Sequence, residues 1–409
     1  MELKQYQLEG AAYLAAPSSK LKYLKDRMGL GKTAQALAAL KLTQAKKVLI
    51  VCPASVRAVW RNEKEKWLSD YEFKEFDIKS YEAVSARDYF PKHIYDVLIF
   101  DEAHYLKNPK ANRTVSAGVR LIPNANNVWF LSGTPQTNTV ADIWFYLHHT
   151  GALKLSFNQF VMQFCQTRIF NGQIAIVGTK PFVGEKVKEI FDKVSFGRRT
   201  EDVLKELPEE RYAMNYVSEK IKIPKELLAS IQGFIPEGIE NAGDLEYIAN
   251  HLATLRRFLA ETKCKFVADK VIEDFKDKAS KQSLVFGVHT KPLKDLADRL
   301  EKEGITCGLI IGDTPMSKRE ALVNQFQEGS ISVLIGNVLS MGTGLTLTAA
   351  DTVYFLERDW VPANNDQAVK RAVRIGQDKS VLVNLFAVEN SIDERIERLL
   401  NRKNKNMVW

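Results

Sequence analysis

MGLGKTAQALAALKL, residues 28–42, sets a glycine on either side of Leu30 and follows them with a lysine, a threonine and a helix-forming run. Gly29 and Gly31 let backbone N–H groups close around phosphate oxygens. Lys32 brings a positive charge to the β and γ phosphates of a nucleotide, and Thr33 offers a hydroxyl to Mg2+ while opening a helix. Met28, Gly29, Leu30, Gly31, Lys32 and Thr33 are therefore candidate nucleotide ligands. The stricter spacing GxxxxGK[ST] is not met, because Asp26 stands where its first glycine belongs. LKYLKD at 21–26 is also a poor hydrophobic strand to lead into such a loop.

Downstream, IFDEAH at 99–104 puts two carboxylates at the end of an apolar run. In phosphate-loop enzymes a strand-end aspartate, here Asp101, holds the Mg2+ shell, and a neighbouring carboxylate, here Glu102, polarises the attacking water. A solvated acidic turn is the bland alternative. It is the weaker one, since charged pairs rarely follow a run such as YDVLIF without a cation to meet.

Short β-rich runs surround these two stretches: KKVLIVCP at 46–53, YDVLIFDEAH at 95–104 and NVWFLSGTP at 127–135. The pattern returns at 282–290, 305–313, 331–337, 351–357 and 380–389, with helical segments between. Continuous apolar runs bounded by turn residues read as buried parallel strands. The expected fold is α/β, two parallel-sheet lobes at 1–205 and 206–409. Residues 139–195 and 222–265 lose the strand pattern and read as largely helical insertions. Asn171-Gly172 favours a small hairpin within the first.

A chain of 409 residues, 45% hydrophobic, exceeds one core of about 100–200 residues. Its net charge of +8 leans toward a polyanionic partner without naming one. The four cysteines, Cys52, Cys165, Cys264 and Cys307, have no zinc-site spacing and read as reduced thiols of a cytoplasmic protein. The N-terminal stretch lacks the apolar core of a signal peptide, and no run reaches the roughly 18 apolar residues of a membrane span.

Together these motifs resemble helicase superfamily two, and the remaining ones resemble its Swi/Snf-related ATPase branch. LKQYQLEG at 3–10 resembles the Q motif, VCPASVRAVWRNEKEKW at 51–67 motif Ia, and YEAVS at 81–85 falls where motif Ib is expected. DEAHYLKN matches motif II, SGTPQTN at 132–138 motif III, and RRTEDVLKELPEE at 198–210 the segment closing the first lobe. SLVFGVHT resembles motif IV, MGTGLTLTAAD at 341–351 motif V, and QAVKRAVRIGQ at 367–377 is motif VI almost letter for letter. The resemblance covers nearly the whole chain and is nearest to the compact branch containing annealing helicases. Arg27 replaces an acidic residue common in that family, Val361 departs from its WNP triplet, and no histone-reading module follows.

The resemblance implies RecA-like lobes, ATP and Mg2+ as cofactors, and duplex or forked DNA as partner. It assigns Gln7 and Gln377 to the nucleotide, and His104, Ser132, Thr134, Gly342, Gly344 and Gln367 to coupling between nucleotide and lobe interface. Arg371 and Arg374 lie three apart, so a helix would project both from one face. A guanidinium arriving there on lobe closure would stabilise charge on the transferring phosphoryl, and the resemblance makes Arg374 the stronger finger. Candidate phosphate contacts are Ser55, Arg57, Ser80, Tyr81, His289, Thr290, Gly312, Thr314 and Ser340, each open to reading as a plain turn residue. Trp360 reads as core or DNA contact. The implied activity is ATP-dependent translocation on duplex DNA. The alternatives are a strand-separating DNA or RNA helicase, or an ATP-gated DNA-binding and displacement module with vestigial hydrolysis. The compactness fits a bacterial or phage source.

Overall fold

In the computed structural model the chain divides into two units, Met1–Lys205 and Glu206–Asn406. The structure describes residues 2–170, 173–203, 209–218, 242–342, 345–374 and 376–389, with isolated positions from 391 to 400. Among these no helix is long and apolar enough to cross a membrane.

The first unit contains β1 (Leu21–Leu24), β2 (Lys47–Cys52), β3 (Glu75–Ser80), β4 (Tyr95–Asp101), β5 (Ala125–Leu131), β6 (Cys165–Phe170), β7 (Gln173–Thr179) and β8 (Ser195–Phe196). Six of them form a parallel sheet in the order β3-β2-β4-β5-β1-β8. Side chains alternate across a strand, so each strand feeds two cores. Leu49, Val51, Leu98, Phe100, Val128 and Phe130 face one, while Val48, Ile50, Val97, Ile99, Trp129 and Leu131 face the other.

LKYL, a poor strand by composition, is β1, lying between β5 and β8. Its lysine is affordable because the buried Lys22 Nζ donates to Leu14 O at 2.8 Å and to Ala16 O, carbonyls at the end of the helix Gln5–Ala15. The segment at 139–195 mixes the helices Trp144–His149, Phe157–Phe164 and Gly184–Lys193 with the strands β6 and β7. Strands β6 and β7 form an antiparallel hairpin in which Ile169 faces Ile174; Asn171 and Gly172 themselves lie outside the described residues.

The second unit contains β9 (Glu210–Val217), β10 (Ser283–Gly287), β11 (Cys307–Ile310), β12 (Val333–Asn337), β13 (Thr352–Phe355) and β14 (Val381–Val388). They form a parallel sheet in the order β11-β12-β10-β13-β14-β9. β9 has no apolar run to announce it. It is an edge strand carrying Tyr212 and Tyr216 outward, and it pairs with β14 along its whole length.

The end of the expected insertion at 222–265 runs into core, with Leu255, Leu259, Ala260 and Cys264 buried, and the helix Ala242–Lys276 continues beyond it to pack Val267, Ala268 and Val271 in the same cluster as Val285, Leu293, Leu296 and Tyr354. Residues 219–241 lie outside the described set.

Candidate nucleotide site and the second unit's motif loops

The phosphate loop leaves β1 and ends at the helix Lys32–Leu42. Gly29 and Gly31 have φ of 85° and 74°, the left-handed region that costs a side chain about 1–2 kcal/mol. A Cβ on Gly31 would also lie 2.5 Å from Gln7 Nε2. Gln7 thus packs over the loop, donating to Leu30 O at 3.3 Å while its Oε1 accepts from Lys4 N. Leu30 is buried, and Met28 and Thr33 are partly so. Lys32 Nζ donates to Asp26 O at 2.8 Å. Gly133 brings the β5 loop against this turn, since a Cβ there would sit 2.9 Å from Met28 N.

β4 ends beside it. Asp101 is buried, with Oδ2 accepting from Trp60 Nε1 at 2.8 Å and Oδ1 from Glu102 N at 3.0 Å. Burial, with the Glu102 charge adding, pushes its carboxyl up to about 6, and the Lys32 charge acts the other way. Such a carboxylate gains from a cation. A hydroxyl on Thr33 and a carboxylate on Asp101 are hard oxygen donors of the kind Mg2+ takes, usually with only one or two protein carboxylates. The residues therefore fit the ion, although no cluster of three His, Cys, Asp or Glu side chains occurs among the described residues.

Glu102 adopts φ 50° and ψ 51°, a left-handed conformation unusual for a residue with a side chain. The turn places its Oε2 3.3 Å from His104 Nδ1, which lies 3.0 Å from Ser132 Oγ. Burial, with the Lys107 charge adding, pulls the imidazole down to about 3, so His104 is neutral at physiological pH. Ser132 Oγ also accepts from Thr134 N at 3.2 Å. Hydrogen bonds thus join His104, Ser132 and Thr134 at the strand ends, with Glu102 Oε2 lying beside His104.

Tyr81 is not available to a phosphate. It is 1% exposed, stacks on Phe100 and Tyr105, and donates its hydroxyl to Asp101 O at 2.9 Å. Ser80 is largely buried and caps the helix Tyr81–Ser85 by accepting from Ala83 N. Ser55 and Arg57 lie half-buried where β2 gives way to the helix Arg57–Leu68, with Arg57 Nε 3.4 Å from Ala54 O.

In the second unit, Arg371 and Arg374 are not on a helix. The helix Pro362–Val369 stops before them, and the Arg371 carbonyl accepts from Leu347 N at 2.9 Å while Ala372 and Val373 turn into the core. Arg371 Nε donates to Gly342 O at 2.8 Å and Arg374 Nη1 to Thr346 Oγ1 at 2.8 Å. Gln367 is buried on that helix. Gly342 ends the helix Val338–Met341, where a Cβ would lie 2.5 Å from Val338 O; Gly344 lies outside the described residues.

Gln377 is a brace rather than a nucleotide ligand. Its buried amide lies within bonding distance of Thr348 O, Ala350 O and Ala372 O, and its Oε1 accepts from Lys379 N. Both ends of the group are consumed.

His289 is likewise committed. Its Nδ1 is 2.8 Å from Glu357 Oε1 and its backbone N 2.9 Å from Oε2. Burial alone would raise Glu357, but the His289 hydrogen bond and the Arg256 charge hold it below the usual range. Thr290 opens the helix Thr290–Lys302 beside it. Trp360 is partly buried with the Arg256 guanidinium 4.3 Å from its ring centre, a packing role.

Arg319 was not signalled by any motif, yet it gathers three of the candidates. It donates to Ile311 O, Gly312 O, Thr314 O and Ser340 O. Trp60, the Asp101 partner, stood unremarked inside motif Ia.

A model of the SNF2-related domain matches residues 6–83 and 72–220, and a helicase conserved C-terminal domain matches 263–376. The chain is 29% identical to the SWI/SNF-related matrix-associated actin-dependent regulator of chromatin subfamily A-like protein 1 homolog of Caenorhabditis elegans, over 97% of this chain and 60% of that protein. It is 27% identical to the DNA annealing helicase and endonuclease ZRANB3 of Mus musculus, over 92% of this chain and 38% of that protein. The chain therefore spans 60% or less of the length of these two relatives. The Sulfolobus solfataricus SWI2/SNF2 ATPase core in complex with dsDNA aligns over 99% of this chain and 92% of that one, with 22% identity and a TM-score of 0.46. The SNF2-related match alone runs over residues 6–220, more than half of the chain, and it contains the phosphate loop, the Asp101 strand end and the Ser132 turn: this chain belongs to the SNF2-related family.

Proposed function

We propose that this chain is an ATP-dependent translocase on double-stranded DNA, coupling hydrolysis to movement along the duplex and to reannealing or remodelling of forks. The observation that carries the reading is the strand-end cluster of the first unit. There a glycine-shaped loop holding Lys32 meets a buried Asp101, a left-handed Glu102 and the His104–Ser132 pair.

Thr33 and Asp101 would hold Mg2+, which supplies neutralisation of charge on the phosphate oxygens. Lys32 neutralises further negative charge there. Glu102 orients the attacking water and accepts its proton, and its carboxylate is steered by neutral His104. Gln7 lies over the loop where it reads the base. By resemblance, Arg374 or Arg371 is the arginine that stabilises charge on the transferring phosphoryl, with Arg374 the stronger candidate.

DNA is favoured as the track by the net charge of +8 and by relatives whose names carry annealing of DNA. Ser55, Arg57, Thr290, Gly312, Thr314 and Ser340 are the phosphate contacts of this reading. They carry no base code, so binding weakens with salt and shows little sequence preference. Burial lifts the Cys52, Cys165 and Cys307 thiols to about 12, which leaves them unreactive, and the proposed setting is a bacterial or phage-infected cytoplasm.

One observation favours a second reading, strand separation. The β6–β7 hairpin exposes Ile169 and Ile174 opposite each other, and an apolar wedge of this kind can unstack bases. The test is steady-state ATP hydrolysis with no nucleic acid, single-stranded DNA, duplex DNA, forked DNA and RNA, with Lys32→Ala as blank. Stimulation by duplex or forked DNA supports translocation. Stimulation by single strands or RNA alone supports the helicase, and no Lys32-dependent turnover removes both.

A further inference from the structure

Asp26, the residue that breaks the strict phosphate-loop spacing, is fully buried. A carboxylate there without partners would be severely destabilising. Its partner comes from the far end of the unit's sequence. Arg198 Nη2 donates to Asp26 Oδ2 at 2.7 Å and Nε to Oδ1 at 3.1 Å, a two-pronged pairing, and Arg198 N adds a third bond to Oδ1 at 2.9 Å. The same guanidinium donates to Tyr6 O, to Glu9 Oε2 at 3.1 Å and to Gln35 Oε1 at 3.3 Å. One side chain therefore ties together the glutamine-bearing helix, the phosphate loop, the helix that follows it and the segment after β8.

The connections lead inward to the nucleotide ligands. Gln35 Nε2 donates to Asp26 Oδ2 at 2.9 Å and to Leu30 O at 3.0 Å, the carbonyl that Gln7 also holds. The backbone carbonyl of Asp26 accepts from Lys32 Nζ. The cluster is built to close tolerance: a Cβ on Gly10 would sit 1.7 Å from Gln35 Oε1 and 3.0 Å from Arg198 Nη2.

We infer that Arg198 is a positioning residue for nucleotide binding: by clamping Asp26 it fixes the part of the phosphate loop from which Lys32 and Leu30 are held. The inference rests on the ATPase reading and deepens it. An ordinary structural ion pair would, when weakened, lower the folded fraction and scale every activity alike. A clamp on the loop shifts nucleotide affinity alone, because ground state and transition state lose the same contact.

The experiment uses Arg198→Lys, which keeps the charge and loses the fork, and Gln35→Met, which removes the bridging amide at similar volume. ADP affinity is measured by calorimetry without DNA, together with the ATP KM, kcat, half-stimulating duplex concentration and melting temperature. The expected result for Arg198→Lys is an ADP Kd and ATP KM raised about 10-fold, with kcat and the duplex concentration within about twofold. Gln35→Met raises both about threefold by the same logic. Folded variants with unchanged ADP Kd, or losses that follow the folded fraction, overturn the inference. Should Arg198→Lys not fold, an unchanged Kd in Gln35→Met overturns it alone. A parent protein that binds no ADP removes the ATPase reading itself, and the inference with it.

Discussion

The strand-end cluster of the first unit and the loops around Gln377 and Arg371 in the second are held in different ways. At the ends of β4 and β5 the side chains are fixed through other side chains. Trp60 holds Asp101, Glu102 lies beside His104, and His104 bonds to Ser132. In the second unit several side chains grip backbone instead: Gln377 reaches three carbonyls, Arg371 reaches Gly342 O, and Arg319, outside any motif, reaches four, while Arg374 and His289 pair with the side chains of Thr346 and Glu357. On the proposed reading the first unit's strand-end residues are the reacting groups, whereas Gln377 and Arg371 in the second set loop shape.

Four substitutions press on that contrast. The largest effect is expected from Lys32→Ala, which should lower kcat for duplex-stimulated hydrolysis about 1,000-fold with the melting temperature little changed. A comparable melting loss instead would move Lys32 to the scaffolding side. Arg374→Ala should follow, lowering kcat about 100-fold or more at unchanged ATP KM. It is the exception that the second unit needs, and a purely thermal effect would remove it.

Asp101→Asn should sharpen the contrast from the stability side. A carboxyl raised from 3.8 to about 6 by burial is costly to ionise in the folded state. That cost is absent below the unfolded value and complete above the folded one. Without Mg2+ the parent should therefore lose stability relative to the variant as pH rises from about 4 to about 6, and the difference should hold level above that. A constant gap across pH would contradict the assignment. The smallest effect belongs to Gln377→Leu, about 1–3 kcal/mol less stable in urea, with ATP KM and kcat of the folded protein unchanged. A raised KM there would return Gln377 to the nucleotide.

The sheets were legible because eight apolar runs announce their strands, and the first site because its loop and strand end carry local spacing. The misses share a physical cause. β1, β3, β8 and β9 lack apolar runs and persist on their neighbours: Lys22 of β1 reaches two carbonyls, and β3, β8 and β9 pair with β2, β1 and β14. The segment up to residue 265 reads as an appendage, yet Leu259 and Cys264 at its end are buried. Arg371 and Arg374 have helical spacing, yet a distant N–H at Leu347 takes the carbonyl beside them. Trp60, Arg198 and Arg319 act across separations that no motif window spans. Tyr81 stood at a motif position and proved to be core.

Movement along an intact duplex is read directly by displacement of a triplex-forming oligonucleotide. The protein, ATP and Mg2+ are added to a duplex carrying a third strand, with Lys32→Ala in parallel. The account predicts ATP-dependent release of the third strand while the underlying duplex stays paired, and none with the variant. An intact triplex under conditions where duplex DNA stimulates hydrolysis, or release only with separation of the duplex, would contradict it.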